Sequence, residues 1–140
     1  MVREAGLVSP QAVRLRPAVR VELAPDLMAP GRARRALERL NHGVGPDTIE
    51  RLKLLVSELV TNSVVHAGLS DRDRIAVAVA MAPNSVRVEV CDNGPGFDLP
   101  PAPDIDDVRG RGLLLVEAVS DRWGVTRGEP TRVWFEIDSG

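Results

Sequence analysis

Cysteine is nearly absent. Cys91 is the only one in 140 residues, so no intramolecular disulfide can form, the fold rests on packing, and the lone thiol reads as a small buried hydrophobe. No apolar run approaches the roughly 20 residues that a membrane helix requires. Met1 to Arg16 lacks the continuous hydrophobic stretch of a secretory signal. These absences predict a cytoplasmic protein with no membrane partner. Lysine is also scarce: of the eighteen basic residues only Lys53 is not arginine, and the net charge of −2 offers no global argument for direct nucleic-acid binding. What is present is a 44% hydrophobic, 27% charged chain, close to the soluble globular average, which excludes disordered and collagen-like classes. A domain of this length buries roughly 68% of the surface its unfolded chain exposes, enough for a core without staples. Pro10 and Pro17 mark residues 1–17 as a flexible arm, leaving 18–140 as one folded domain.

Within that domain Ala18 to Leu23 alternates, with Val19, Val21 and Leu23 on one side, and predicts a strand that Pro25 ends. Leu27 to Leu40 carries Ala33, Leu37 and Leu40 at helical spacing, with Asp26 as its N-cap and Asn41-His42-Gly43 as its end. The cluster Arg32, Arg34, Arg35 and Arg39 on this helix reads as a solvated face. Asp47 to Ala67 is the longest helical signal. Asp47 caps it, Glu50 follows as in a capping box, Ile49, Leu52, Val56, Leu59 and Val60 recur at helical intervals, and Gly68 stops it. Ile75 to Met81 and Val86 to Val90 alternate around Pro83-Asn84-Ser85 and predict a hairpin. Asp92 to Arg109 is a proline-rich, acidic stretch without periodicity, a loop long enough to be functional or mobile. Gly112 to Val119 reads as a short helix, and Asp121 to Thr126 and Arg132 to Ile137 as closing strands about Arg127-Gly128-Glu129-Pro130. This order predicts an α+β two-layer sandwich: a mixed, mostly antiparallel sheet with helices on one face.

Three segments carry chemistry. Glu58, Asn62 and His66 are spaced by four on the long helix, each about 40° around from the last, so a carboxylate, an amide and an imidazole share one stripe. An exposed polar stripe explains them equally well. Asp92-Asn93-Gly94-Pro95-Gly96 follows a strand, where two glycines admit close approach of a ligand and the carboxylate can accept a hydrogen bond from it. An Asn-Gly hairpin turn is the plainer alternative, weakened by Pro100, Pro101 and Pro103, which oppose an immediate return strand. Gly110-Arg111-Gly112-Leu113 sits where loop meets helix, a place where backbone amides and the helix dipole favour an anion, although an ordinary loop-to-helix junction has the same look.

Taken in order, Glu-x-x-x-Asn in a helix, Asp-x-Gly-x-Gly after a strand and Gly-x-Gly-Leu at a helix start resemble the N, G1 and G2 boxes of the GHKL (Bergerat-fold) superfamily. The resemblance spans about Val19 to Ile137. Glu58-Leu59-Val60-Thr61-Asn62 and Val133-Trp134-Phe135-Glu136 look most like the small RsbW-like anti-sigma factor serine/threonine kinases. That resemblance implies ATP and Mg²⁺ as cofactors. Asn62 would be the metal ligand, Asp92 the acceptor for the adenine amine, and Gly94 and Gly96 the residues making room. Gly110, Arg111, Gly112 and Leu113 would border the triphosphate, Thr131 would lie near the adenine, and Glu58 would be the catalytic base. His66 acquires no role. The implied partners are an anti-anti-sigma factor and a sigma factor, with a homodimer as a further candidate. Two alternatives stay open: a module in which ATP controls partner docking without phosphoryl transfer, and the detached catalytic domain of a histidine kinase. The segment Asp98 to Arg109 is short for an ATP lid and offers no lysine, which bears on turnover more than on binding.

Overall fold

The computed structural model describes residues 15–40, 43–66, 68–92, 108–126 and 131–139, with side chains for all of these except 66 and 108–112. In chain order the elements are β1 (Arg16–Leu23), α1 (Ala29–Leu37) extended by a turn of 3₁₀ helix (Glu38–Leu40), α2 (Pro46–His66), β2 (Ile75–Ala82), β3 (Ser85–Asp92), α3 (Val108–Val119), β4 (Arg122–Thr126) and β5 (Thr131–Asp138). The strands form one five-stranded sheet in the order β1-β2-β3-β5-β4. All four pairings are antiparallel, so the mixed sheet expected from the element order is antiparallel throughout the described residues. After β3 the chain runs through α3 to the edge strand β4 and returns along β5, which inserts between β4 and β3.

The period-2 pattern decides which face is covered. On β3, Val86, Val88 and Val90 point towards the helices, and they lie in register with Ile137, Phe135 and Val133 of β5. The helices answer with α2, whose Leu52, Leu55, Val56, Leu59 and Val60 form a buried stripe, and with Ala33, Ala36 and Leu37 of α1. Each such side chain contributes roughly 1.5–3 kcal/mol on leaving water. Helix α2 packs against α1, α3, β3 and β5, and so connects the helical layer to the sheet centre.

Several boundaries differ from the sequence reading for local reasons. β1 starts at Arg16, so Pro17 belongs to the strand, where an edge position tolerates the missing N–H and the register with β2 shifts between Pro17 and Val19. Asp26 is not the N-cap of α1. Met28 occupies that position, and Oδ1 of Asp26 accepts from the Met28 amide at 2.8 Å in a turn before the helix. α2 begins at Pro46, where the absent amide costs nothing, and the Gly45 carbonyl accepts from the Ile49 amide at 3.0 Å; Asp47 therefore lies in the first turn instead of capping it. Glu50 is 3.7 Å from Lys53 in an ion pair. Gly68 has φ of 66°, the left-handed conformation that closes a helix.

The other sheet face is partly self-covered. Trp134 is only 3% exposed although among the described residues no helix lies on it; the Arg87 guanidinium sits 4.3 Å from its ring centre. Arg87 is held by Glu89 and Glu136, each at 3.2 Å, and Arg122 donates to Glu136 at 2.6 Å and to Asp138. Asp138 foremost, then Glu136, strengthens the hold of Arg122 on its proton. Cys91 lies on this face between Ala76 and Arg132 and is half-buried, not the core residue its type suggested.

Candidate functional site

Connectivity gathers the polar residues at one end of the sheet. β3 ends at Asp92, directly opposite Ile75, the first residue of β2, on one side and Thr131, the first of β5, on the other. A short connection joins the end of α2 to β2, which places the last turns of α2 at this same end, and α3 packs alongside α2. Asp92, Thr131, Asn62 and the start of α3 therefore surround one corner of the helix–sheet interface, with Glu58 one turn back along α2.

Asp92 is the last residue of β3, one position earlier than its expected place just after the strand, and it is 2% exposed; Thr131 beside it is 5% exposed. They continue the buried face of Val86, Val88 and Val90, so a carboxylate and a hydroxyl occupy positions that the strand pattern reserves for core side chains. Both are engaged by other groups of the protein. Burial of a carboxylate at this depth is costly without hydrogen-bonding partners, and such a pair suits a ligand that presents an N–H donor from an apolar ring. Glu58 and Asn62 are half-buried on the flank of α2, beside the core stripe and not fully out in solvent. Leu113 of α3 is half-buried against the core.

The third segment is placed differently from expectation. α3 begins at Val108, so Gly110, Arg111 and Gly112 lie inside its first turns and not in the loop preceding it. The amides without intrahelical partners therefore fall on the first four residues, Val108 to Arg111, a set that includes Gly110 but not Gly112. Gly94, Gly96 and most of the predicted loop, together with the residue 1–14 part of the arm, lie outside the described residues, as does the side chain of His66. Lys53 is held by Glu38 at 3.5 Å and Glu50 at 3.7 Å, and lines a 310 Å³ cleft at the opposite end of α2 from Asn62.

Sequence reasoning missed a support for this helix. Ser57, the neighbour of Glu58, donates to the Lys53 carbonyl at 2.7 Å and accepts from Arg34 of α1 at 2.9 Å, tying α1 to α2 one residue from Glu58. A serine inside a helix that bonds back by four residues is the available signal, and the Arg34 partner needed the fold to be seen. Ser63, next to Asn62, is buried on the same helix and had no role in the sequence reading.

A buried carboxylate–hydroxyl pair beneath α2 thus stands at one corner of a two-layer antiparallel α+β fold. Residues 22–137 match the histidine kinase-like ATPase domain, and the chain belongs to that family. Within it the chain is similar to serine-protein kinases named RsbW. It is 36% identical over 92 residues to RsbW of Listeria monocytogenes serovar 1/2a, covering 56% of this chain and 59% of that protein. It is 39% identical over 56 residues to RsbW of Bacillus cereus strain AH820, covering 40% and 35%. The chain thus spans about three fifths of the length of the Listeria relative, which it matches over 59%. Among solved structures, the histidine kinase domain of the blue-light activated histidine kinase EL346 of Erythrobacter litoralis superposes with a TM-score of 0.55 at 26% identity, covering 80% of this chain and 60% of that one. A second structure of that kinase gives 0.57 at 28% identity, covering 78% and 40%. The α+β expectation and the GHKL resemblance of the RsbW-like branch both hold.

Proposed function

We propose that this chain is an ATP-binding, cytoplasmic anti-sigma regulator that phosphorylates a serine or threonine of an anti-anti-sigma (STAS-type) partner and binds a sigma factor. The observation that carries the reading is the buried, in-register pair Asp92 and Thr131 at the strand ends beneath the α2 segment of Glu58 and Asn62. In this reading Asp92 accepts from the adenine amine, Thr131 lines the same pocket, and Gly94 and Gly96 leave space for the base. Gly110, Arg111, Gly112 and Leu113 border the triphosphate. Asn62 would hold Mg²⁺ through its amide oxygen, and the metal would supply charge neutralisation for the phosphates. Glu58 accepts the proton of the attacking hydroxyl as its oxygen bonds to the γ-phosphorus; the bond from that phosphorus to the bridging oxygen breaks and ADP departs.

The test mixes the chain with ATP, Mg²⁺ and a candidate STAS-domain protein and reads phosphoserine or phosphothreonine by mass spectrometry. Glu58→Gln is expected to bind ATP as the wild type does and to transfer no phosphate. Tight ATP retention with no transfer by the wild type favours the second reading, ATP as an effector of partner docking, for which the absence of lysine from 98–109 is the supporting observation.

A further inference from the structure

The arginines of α1 do not form one solvated stripe. At about 100° per residue, Arg32 and Arg35 lie roughly 60° apart around the helix, whereas Arg34 stands about 100° from Arg35 and about 160° from Arg32. Arg34 is thereby turned towards α2, where its guanidinium donates to the Ser57 hydroxyl at 2.9 Å, and that hydroxyl donates to the Lys53 carbonyl at 2.7 Å. The residue after Ser57 is Glu58. We propose that Arg34 and Ser57 are positioning residues for Glu58, fixing the rotation of α2 about its own axis so that the carboxylate meets the acceptor hydroxyl. The inference rests on the reading of Glu58 as the base of phosphoryl transfer.

Packing alone sets this rotation weakly. The residues that α1 buries are Ala29, Ala33, Ala36 and Leu37, and the short alanine side chains give little to interlock with the apolar stripe of α2. Apolar contact is also non-directional, so a helix resting on alanines turns at small cost. Directional bonds supply the missing constraint. The Arg34 donor occupies a lone pair of the Ser57 oxygen and leaves its proton for the Lys53 carbonyl, so the turn 53–57 is tied to α1 in a single orientation. A second bridge, from Lys53 to Glu38 in the 3₁₀ extension of α1 at 3.5 Å, stands one turn along.

Glu58 is the residue most sensitive to that rotation. A carboxylate about 6 Å from a helix axis moves about 1 Å when the helix turns by about 10°. A misplacement of about 1 Å costs roughly a hundredfold in a rate that depends on a near-attack geometry. Nucleotide affinity depends on it less. In the proposed site the adenine is held by Asp92 and Thr131 on β3 and β5, apart from both helices that the bridge joins. Asn62 turns with α2, but Mg²⁺ keeps most of its ligands as water and phosphate oxygens. Loss of the bridge therefore slows transfer and leaves ATP binding nearly unchanged.

The test measures kcat for phosphate transfer from ATP to a STAS-domain protein by the full chain, with Mg²⁺-ATP affinity from calorimetry and circular dichroism showing each variant folded at the assay temperature. Ser57→Ala and Arg34→Ala should each lower kcat about tenfold or more and shift ATP affinity by less than about twofold. The double variant should be no slower than the slower single one, because the two side chains act as one unit. Ser57→Thr keeps the hydroxyl and should restore transfer. Wild-type kcat in the folded single variants, equal losses in kcat and ATP affinity, additive losses in the double variant, or Ser57→Thr as slow as Ser57→Ala would each overturn the positioning role and leave Glu58 as the base. A wild type that binds ATP and transfers no phosphate, or a Glu58→Gln variant that transfers like the wild type, would overturn both.

Discussion

At the residue scale the open sheet face shows how charged groups are placed to do structural work. Glu136 is 17% exposed and receives hydrogen bonds from both Arg87 and Arg122. Arg87 in turn covers Trp134. Replacing Glu136 with Gln leaves two partly buried guanidinium groups with a weaker acceptor, and the expected loss is about 1–3 kcal/mol, read as a lower urea midpoint at unchanged m-value. An unchanged midpoint would show the network to be ornamental to stability. Little of this was legible beforehand, since the network joins three strands whose register no local pattern reveals. Asp92 was legible as a functional candidate but not as a buried strand residue, because aspartate is disfavoured in strands and a glycine-rich segment follows it. The departure of a residue from the rule of its element, a carboxylate in a valine row, is what marks the site.

At the element scale, helices and strands with strong periodicity were read correctly, and errors collect at their ends. α2 and the β2–β3 hairpin appear within a residue or two of their predicted limits. α3 starts four residues before the predicted Gly112, because glycine costs about 1 kcal/mol per residue in a helix and a pair of them reads as loop; packing on α2 outweighs that preference. The end of α2 gives a direct check. Gly68 has φ of 66° and open space around the position of a Cβ, so Gly68→Ala introduces backbone strain without a clash. Its expected cost is about 1 kcal/mol, measured by thermal or denaturant unfolding. A neutral result would mean that the backbone adopts another conformation there at no cost.

At the scale of the whole molecule, strand order was the part hidden from the sequence. Alternation shows that strands exist and which side of each is apolar, but the insertion of β5 between β3 and β4 depends on contacts far apart along the chain. That insertion sets Thr131 beside Asp92 and so completes the buried pair. The order of the motifs along the chain implied one shared site, and the fold puts Asn62, Asp92, Thr131 and the start of α3 at one end of a two-layer sandwich. If nucleotide binds there, it contacts both layers and should stabilise the fold as a unit. At an ATP concentration one hundred times Kd, with Mg²⁺, the stabilisation should be about 2.7 kcal/mol, seen as a single cooperative transition moved to higher temperature.

The central claim is that the corner formed by Asp92, Thr131, Asn62 and Glu58 binds ATP. Calorimetric titration of Mg²⁺-ATP into the wild type and into Asp92→Asn tests it most directly, with circular dichroism establishing that both are folded. Saturable binding by the wild type, weakened about ten- to hundredfold by loss of a charged acceptor, is the expected result. Equal affinity of the two proteins would remove Asp92 from the site, and no binding by a folded wild type would contradict the nucleotide reading itself.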